Sequence, residues 1–344
     1  MSHDHDHNHV HDHTCSMATK CQMYRPKATG LFDYADQSAT ECIKPGLKIR
    51  NWIDDMIQNP FNVQRLTEKS YLIGAAGYNA VIHVGKEGVL LISPQSGDAT
   101  TLTLDGIRSI TDLPITDVIY THYHLDHVAG ITSVIEQTRQ NSKAELRIHG
   151  TDMTARRISK FGGKVPLPNQ ILRGHDGEFL FEGMPIRIRT PEENGHCPDN
   201  AIVVLRSEGI TQYDDMLEPE ALPFPHFGPA ENLVAYEENL RELKTFDWQF
   251  INSGHGNIGS RADVDFYIRY LETVRNHTGT IMERLSMTDF MVPTYSYMSA
   301  WRNYIAAVSA LVKEELRPTY GLYYGFEEVV PTHVEMVLNN LILY

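Results

Sequence analysis

Short apolar runs separated by Gly and Pro start at about Phe61 and predict successive β-strands, between which helical patterns appear. Strands are predicted at Tyr71–Ile73, Ala80–Val84, Gly88–Ser93, Val118–Tyr120, Leu146–His149, Met184–Arg189, Ala201–Arg206, Ile210–Tyr213 and Gln249–Asn252, and helices at Asp98–Thr111, Val128–Gln140 and Asn232–Lys244. This alternation is typical of a layered α/β domain, which we place at residues 29–260.

The pattern becomes helical after Arg261, where apolar residues recur at three- and four-residue spacing. Two further helices are predicted at Ser299–Glu315 and His333–Leu343. Residues 261–344 are therefore expected to form a helical C-terminal extension.

Residues 1–28 contain six histidines at alternate positions, interleaved mostly with Asp and Asn. Because this composition cannot build a packed core, we predict a disordered His-rich tail. Alternating imidazoles and carboxylates could capture metal ions weakly, but a plain solvated tail is the favoured interpretation.

The net charge of −14, from 30 Lys and Arg against 44 Asp and Glu, disfavours nucleic acid as a partner. The sequence has neither an apolar run of membrane-spanning length nor the pattern of a secretory signal, so no membrane association is expected. Four scattered cysteines suggest a reducing, cytoplasmic setting. The sequence leaves the oligomeric state open, a homo-oligomer included.

The segment Thr121–His127 carries three histidines and an aspartate directly after a predicted strand. In an extended chain, residues two apart project to the same side, so His122 and His124 can bind one metal ion. Asp126 and His127 follow where the chain turns into a helix and can face a second ion. One short loop thus supplies ligands to two neighbouring metals.

Three further residues of metal-ligand type lie at predicted strand ends, where layered α/β sheets carry their active-site loops. They are His196 in a Gly-His pair, Asp215 after the strand at residues 210–213, and His255 in a second Gly-His pair. Asp214 is adjacent to Asp215 and competes for its role.

The His-x-His-x-Asp-His motif, followed by Gly-His, an Asp and a second Gly-His, resembles the metallo-β-lactamase superfamily over roughly residues 61–260. The resemblance implies an αββα sandwich with two metal ions. Metal one would be held by His122, His124 and His196, metal two by Asp126, His127 and His255, and Asp215 would bridge them.

Asp215 is favoured as the bridge because two mostly apolar positions, Met216 and Leu217, follow it, as in related sequences. A bridging Asp makes the pattern closer to the glyoxalase II, lactonase and ribonuclease Z branches than to the zinc β-lactamases. One departure is Ser93-Pro94, where the superfamily usually has an Asp after the early strand, and this puts local loop support in doubt.

The function implied is that of a binuclear metallohydrolase, in which a metal-bridging hydroxide attacks an ester, lactone or related carboxyl substrate and Asp126 orients the nucleophile. Zinc suits these ligands, although iron or manganese would fit as well. The resemblance also implies that the C-terminal extension, residues 261–344, caps the active site, and the aromatic residues of this extension favour a small, apolar or aromatic substrate. Its candidate contacts are His226, Tyr295 and Trp301, each of which could instead be an ordinary loop, core or interface residue.

Two other functions remain open at this stage. The same ligands could hold a di-iron centre for oxygenase or redox chemistry, and the His-rich tail could serve a metal-buffering protein. The acidic balance argues against ribonuclease Z-like work on RNA.

Overall fold

The computed structural model describes residues 30–141, 145–293 and 296–343, so the predicted tail at residues 1–28 lies outside the described residues. The strands are β1 Tyr34–Ala35, β2 Lys48–Ile49, β3 Asn62–Arg65, β4 Ser70–Ala75, β5 Tyr78–Val84, β6 Val89–Ile92, β7 Ile115–Ile119, β8 Arg147–Thr151, β9 Gln170–Leu172, β10 Asp176–Phe181, β11 Met184–Arg189, β12 Ile202–Leu205, β13 Ile210–Gln212 and β14 Phe250–Asn252. The helices are α1 Trp52–Gln58, α2 Gly97–Ile110, α3 Leu125–Val128, α4 Ile131–Asn141, α5 Asp152–Phe161, α6 Leu233–Leu243, α7 Arg261–Arg284, α8 Tyr297–Tyr320 and α9 Phe326–Leu343.

Two mixed sheets face each other. The seven-stranded sheet has the order β3-β4-β5-β6-β7-β8-β9 and is parallel from β6 onward. The five-stranded sheet runs β10 to β14 in order and is antiparallel except for the pair β13-β14. Parallel neighbours bring their carboxyl ends to one edge, and both sheets therefore present loops at the same end of the sandwich.

Alternate residues along the strands face different cores. Leu72 and Val81 of the first sheet pack against Ile186 and Val203 of the second. On the outer face of the first sheet, Ile73 belongs to a separate cluster with residues of α2 and α4. Helices α6 to α9 cover the outer face of the second sheet. The predicted αββα sandwich with a C-terminal helical extension is confirmed.

The helix predicted over Val128–Gln140 starts later, as α4 at Ile131, because the short helix α3 precedes it and the two are separated at Ala129 and Gly130. A Cβ on Gly130 would collide with Thr100 Oγ1 of α2, so only glycine allows this close approach. The break lets the short helix α3 carry Asp126 and His127 toward the strand ends.

Sequence patterns missed several elements, among them α5 and the strands β9 and β10. Strand β10 mixes polar and apolar residues at a sheet edge, and half of its side chains are exposed, so its apolar signal is weak. Helix α9 starts before Pro331 rather than at His333, since packing overrides the usual cost of an internal proline. Within the described ranges, no helix combines the length and apolar character needed to cross a membrane.

Candidate metal centre

The predicted ligands meet at the end of the sandwich where β7, β13 and β14 finish. Backbone hydrogen bonds join these loops: Ala201 N–H donates to the Thr121 carbonyl at 2.9 Å, and Asp215 N–H donates to the Ser253 carbonyl at 2.9 Å. The loops of both sheets are therefore held together by their backbones, independently of the side chains of the cluster.

Asp215 occupies the middle of the cluster. Its Oδ2 lies 3.2 to 3.3 Å from Nε2 of three histidines, and its Oδ1 lies 3.2 Å from a fourth; the four are His122, His127, His196 and His255. The Asp215 backbone has a φ of 62°, a left-handed conformation that non-glycine residues adopt at a cost. Such strain persists only where the surroundings enforce it, as they do here.

The remaining predicted ligands adjoin this group. His124 Nδ1 lies 3.0 Å from His196 Nε2, and Asp126 Oδ2 lies 3.5 Å from His127 Nε2. Donor atoms fall within 4.8 Å of one another in three overlapping sets, which are His122, His124, His196 and Cys197; His122, His127 and Asp215; and Asp126, His127 and His255. The structure thus brings all seven predicted ligands together.

Two buried ring nitrogens indicate what this cluster accommodates. His122 Nε2 and His127 Nε2 are inaccessible to solvent and have no hydrogen-bond partner among the described residues. An unpaired buried nitrogen is costly unless its lone pair is used. Imidazole and carboxylate donors arranged in this way fit divalent cations such as zinc, iron or manganese.

Asp214 and Asp215 have different positions despite being neighbours. Asp214 is fully buried; its Oδ2 lies 3.3 Å from His127 Nδ1 and accepts a hydrogen bond from Thr121 Oγ1 at 2.7 Å. It therefore holds the back of the His127 ring, whereas Asp215 faces the ring nitrogens at the centre. The geometry favours Asp215 as the bridging group.

Ser93, which replaces the aspartate usual in the superfamily, lies against the same ring. Its Oγ is 3.1 Å from His127 Nδ1, and its backbone is left-handed with a φ of 62°. Ser93 and Asp214 together support His127, so the loop support questioned from the sequence is present.

Backbone carbonyls orient two other rings. His196 Nδ1 donates to the Gly228 carbonyl at 2.5 Å, and His255 Nδ1 donates to the Gly77 carbonyl at 3.1 Å. A proton on Nδ1 leaves Nε2 free to bind a metal, and such partners fix the direction of the ring.

The histidines and aspartates of the cluster shift one another's pKa values. Burial lowers the pKa of His127, but the carboxylates of Asp215 and Asp214 outweigh it and raise that pKa well above the usual value. Burial alone would raise the pKa of Asp215, yet His127 and His196 hold it well below its usual range. Burial lowers the pKa of His124 to about 3. A deprotonated carboxylate and a neutral His124 are the forms that bind metals.

Cys197 lies beside the cluster but differs from it chemically. Its Sγ donates to Asp199 Oδ1 at 3.4 Å, and burial together with that carboxylate raises the pKa of the thiol well above its usual value. A protonated thiol is a poor metal ligand, so Cys197 is best described as a buried neighbour of the histidines.

A cavity of about 360 Å³ opens onto the cluster. Its walls include residues that the sequence analysis did not predict as contacts, namely Tyr78, Met216, Leu217, Glu218, Tyr236 and Tyr267, together with Pro223 and Phe224 of the loop that carries His226. None of the described lining residues is Lys or Arg. Burial raises the pKa of Glu218 to about 7, with His255 opposing the rise. The sequence signal for Tyr78 is the glycine before it, which favours a tight turn. The structure has this turn, with a φ of 88° at Gly77.

Two of the three predicted substrate contacts lie away from the cavity. The His226 side chain is exposed and does not line the cavity, whereas Phe224 and Gly228 on either side of it do. Trp301 lines a separate surface groove between α8 and α9, because α8 packs inward through Tyr304 and leaves Trp301 near its edge. Both assignments are therefore corrected, and Tyr295 lies outside the described residues.

Sequence comparisons agree with this geometry. The family model described as the metallo-β-lactamase superfamily matches residues 73–211. A β-lactamase-like protein 2 homolog of Drosophila melanogaster is 24% identical over 226 residues, which cover 62% of this chain and 67% of that protein. A linear primary-alkylsulfatase of a Pseudomonas species is 31% identical over 304 residues, covering 73% of this chain but only 56% of the enzyme.

Solved structures show the same fold. A metallo-β-lactamase from Pontibacter korlensis superposes with a TM-score of 0.52 at 19% identity, covering 61% of this chain and 97% of that one. The DIM-1 metallo-β-lactamase gives a TM-score of 0.50 at 20% identity, covering 61% of this chain and 95% of that one. At such low identity, the superpositions show the architecture alone.

Proposed function

The chain belongs to the metallo-β-lactamase superfamily, and on that premise we propose that it is a metal-dependent hydrolase whose centre holds two divalent cations and cleaves an ester or lactone. The observation that carries the proposal is the Asp215 carboxylate, which lies within 3.3 Å of four histidine nitrogens from three separate chain segments.

The donor set divides naturally into two halves around Asp215. His122, His124 and His196 would hold one cation, and Asp126, His127 and His255 the other, with Asp215 shared. Two divalent cations at such a centre activate water at neutral pH and polarise the bond to be cleaved. Zinc is the proposed metal because neutral imidazoles and carboxylates suit it.

The side chains around the centre have separate tasks. The Asp126 carboxylate is 44% exposed and lines the cavity, so its free oxygen can orient the attacking water and accept its proton. Glu218 lines the same cavity and, with a pKa near 7, can hold a proton for the departing alcohol. Tyr78 packs over His255 at 4.8 Å between ring centroids and closes one side of the site.

The cavity walls favour an uncharged, largely apolar substrate. Leu217, Phe224 and Tyr236 supply apolar surface, and the described lining residues include no Lys or Arg that could pair with an anionic group. A carboxylic ester or lactone of a small alkyl or aryl alcohol meets these conditions.

A sulfate ester is the second candidate, because the alkylsulfatase relative is 31% identical to this chain. Its apolar alkyl chain would suit the same walls, although its anionic head would have to rely on the cations alone. A panel of p-nitrophenyl acetate, p-nitrophenyl butyrate, γ-butyrolactone and sodium decyl sulfate, assayed on one zinc-loaded preparation, separates the two. Faster turnover of decyl sulfate than of every carboxylic substrate would reverse the preference.

The direct test of the hydrolase is His122→Ala, which should abolish hydrolysis and lower the bound metal measured by elemental analysis. His277→Ala is the matched control, since His277 is a histidine of α7 that pairs with Glu315 outside the cluster. Full turnover by His122→Ala would contradict the proposal.

Metal content also separates the other two functions. Protein purified without added metal should contain zinc, which gives no visible absorption. Iron with a visible absorption band would instead point to redox chemistry. Deletion of residues 1–28 should leave two tightly bound metals. Loss of both on deletion would instead indicate a metal-buffering tail.

A further inference from the structure

The loop between Asp215 and α6 contains an unusual turn, which we name the left-handed turn and define as residues 226–228. Its three residues have φ values of 59°, 56° and 68° in sequence. Only the last, Gly228, lacks a Cβ, so His226 and Phe227 adopt a conformation that L-residues disfavour. A strained segment of this kind keeps its shape only if neighbouring elements hold it.

The left-handed turn contacts the metal centre at two points. The Gly228 carbonyl accepts the hydrogen bond from His196 Nδ1 at 2.5 Å. A Cβ on Gly228 would collide with the Asp215 carbonyl oxygen, so the turn also lies directly against the backbone of the bridging aspartate. Any shift of the turn therefore rotates the His196 ring away from Asp215 and His124.

The elements that hold the turn belong to the C-terminal extension. His226 N–H donates to Thr332 Oγ1 at 3.0 Å, and His333 Nε2 donates to the Phe224 carbonyl at 3.1 Å. The Phe227 ring is fully buried and packs on the His333 ring with centroids 4.2 Å apart. Two consecutive residues of α9 thus hold the turn and the residue that leads into it.

His333 is itself held rigidly. It is completely buried, and its Nδ1 accepts a hydrogen bond from Tyr270 OH of α7 at 2.8 Å. That bond sets the tautomer, because a ring that accepts on Nδ1 carries its proton on Nε2, where Phe224 receives it. A series of contacts therefore runs from Tyr270 of α7 through His333 of α9 to the left-handed turn, and from the turn to His196.

We infer that Thr332 and His333 are positioning residues for the metal centre, and that the C-terminal helices tune metal affinity by fixing the left-handed turn that orients His196. The inference rests on the proposed function, since it presumes that His196 binds a metal. It assigns to the extension a task at the metal ligands themselves, besides covering the sheet.

The test uses the full-length chain and three variants. His333→Ala removes both hydrogen bonds of that ring and the ring that packs on Phe227. Thr332→Val removes, at a partly exposed position, the hydroxyl that accepts from His226 N–H and donates to the Val329 carbonyl within α9. Val337→Ala is the matched control: Val337 is buried one helical turn after His333, so its truncation leaves a cavity in the same helix but removes no hydrogen bond to the turn.

Zinc affinity, measured by competition with a chromogenic chelator, should fall about tenfold or more in His333→Ala and about threefold in Thr332→Val. The visible spectrum of the cobalt-substituted protein should change in the same two variants, because the geometry at His196 changes. Val337→Ala should bind zinc like the parent, even where its melting temperature is equally reduced.

Unchanged zinc affinity and cobalt spectra in both Thr332→Val and His333→Ala would overturn the inference. If His333→Ala fails to fold, Thr332→Val still decides the matter. The proposed function has its own failure, which is a parent protein that binds no metal or a His122→Ala variant that binds it normally.

Discussion

At the scale of single residues, Asp214 and Asp215 are neighbours in the chain but contact the histidines from different sides. Asp215 is left-handed and turns its carboxylate toward four ring nitrogens, whereas Asp214 points back into the core and supports His127. Adjacent strand-end residues project to opposite sides, so the two carboxylates cannot exchange tasks.

We therefore expect Asp215→Asn and Asp214→Asn to differ. Asp215→Asn should remove the shared anion, reduce bound zinc to one equivalent or less, and lower hydrolysis by about a hundredfold or more. Asp214→Asn should keep two zinc ions but weaken binding by about 10- to 100-fold, as loss of a ligand-orienting partner typically does. Metal titrations of both variants check this, and equal losses would show that Asp214 is also a ligand.

At the scale of elements, the helices of the C-terminal extension are tied to the sandwich by buried polar contacts as well as apolar ones. Lys48 of β2 donates to Asp263 of α7 at 2.7 Å, and both side chains are nearly inaccessible. Lys48 also donates to the Ile258 carbonyl at 3.0 Å, which anchors the start of α7.

Removing one partner of this pair should be costly, since the other charge stays buried and unpaired. Lys48→Met is expected to reduce the free energy of unfolding by about 3–5 kcal/mol. The double variant Lys48→Met, Asp263→Asn should recover part of that loss, because an uncharged amide can keep the capping contacts with Ser260 at the start of α7. Urea unfolding of the single and double variants measures both effects, and a loss below 1 kcal/mol for Lys48→Met would contradict the expectation.

Helix α9 should make the protein sensitive to acid through His333. Burial lowers the pKa of His333 to about 3; the Phe224 and Pro223 carbonyls oppose the shift, and the nearby His226 contributes a smaller part of it. Since the unfolded chain takes up the proton near pH 6.5, the stability is fully present above that pH and is lost as the pH falls toward 3.

One such histidine should cost about 2 kcal/mol of stability between pH 6.5 and 4.5. His333→Gln should be less stable than the parent at pH 7 but should lose correspondingly less on acidification. Urea unfolding at pH 7.0, 5.5 and 4.5 compares the two slopes. Identical slopes would mean that His333 is not the group responsible.

At the scale of the whole molecule, the metal centre lies where loops of both sheets meet, and it should act as a stabilising link between them. Ligands that bind only the folded state raise its stability by mass action. The buried, unpaired nitrogens of His122 and His127 add to the cost of the metal-free form.

Chelation should therefore lower the melting temperature of the parent by several degrees. The same treatment should leave the melting temperature of His122→Ala nearly unchanged, because that variant has already lost its metal. Differential scanning fluorimetry with and without EDTA compares them, and readdition of zinc should restore the parent. A parent melting temperature that ignores EDTA would argue against a structural contribution of the metals.

Local sequence patterns were enough to predict the layered α/β class, most of the central strands and the seven residues that converge at the candidate centre. Apolar periodicity reports burial directly, and a dense His-Asp motif at a strand end is rare enough to be informative. These signals are local, so they survive without knowledge of the fold.

The remaining features became visible only in the three-dimensional structure. It separated Asp215 from Asp214, moved Trp301 and His226 away from the cavity, and placed Tyr78, Glu218 and Phe224 in its walls. It also brought His333 against a loop about a hundred residues earlier in the chain. Cavity walls and supporting contacts depend on which distant surfaces meet, and no periodicity within one segment carries that information.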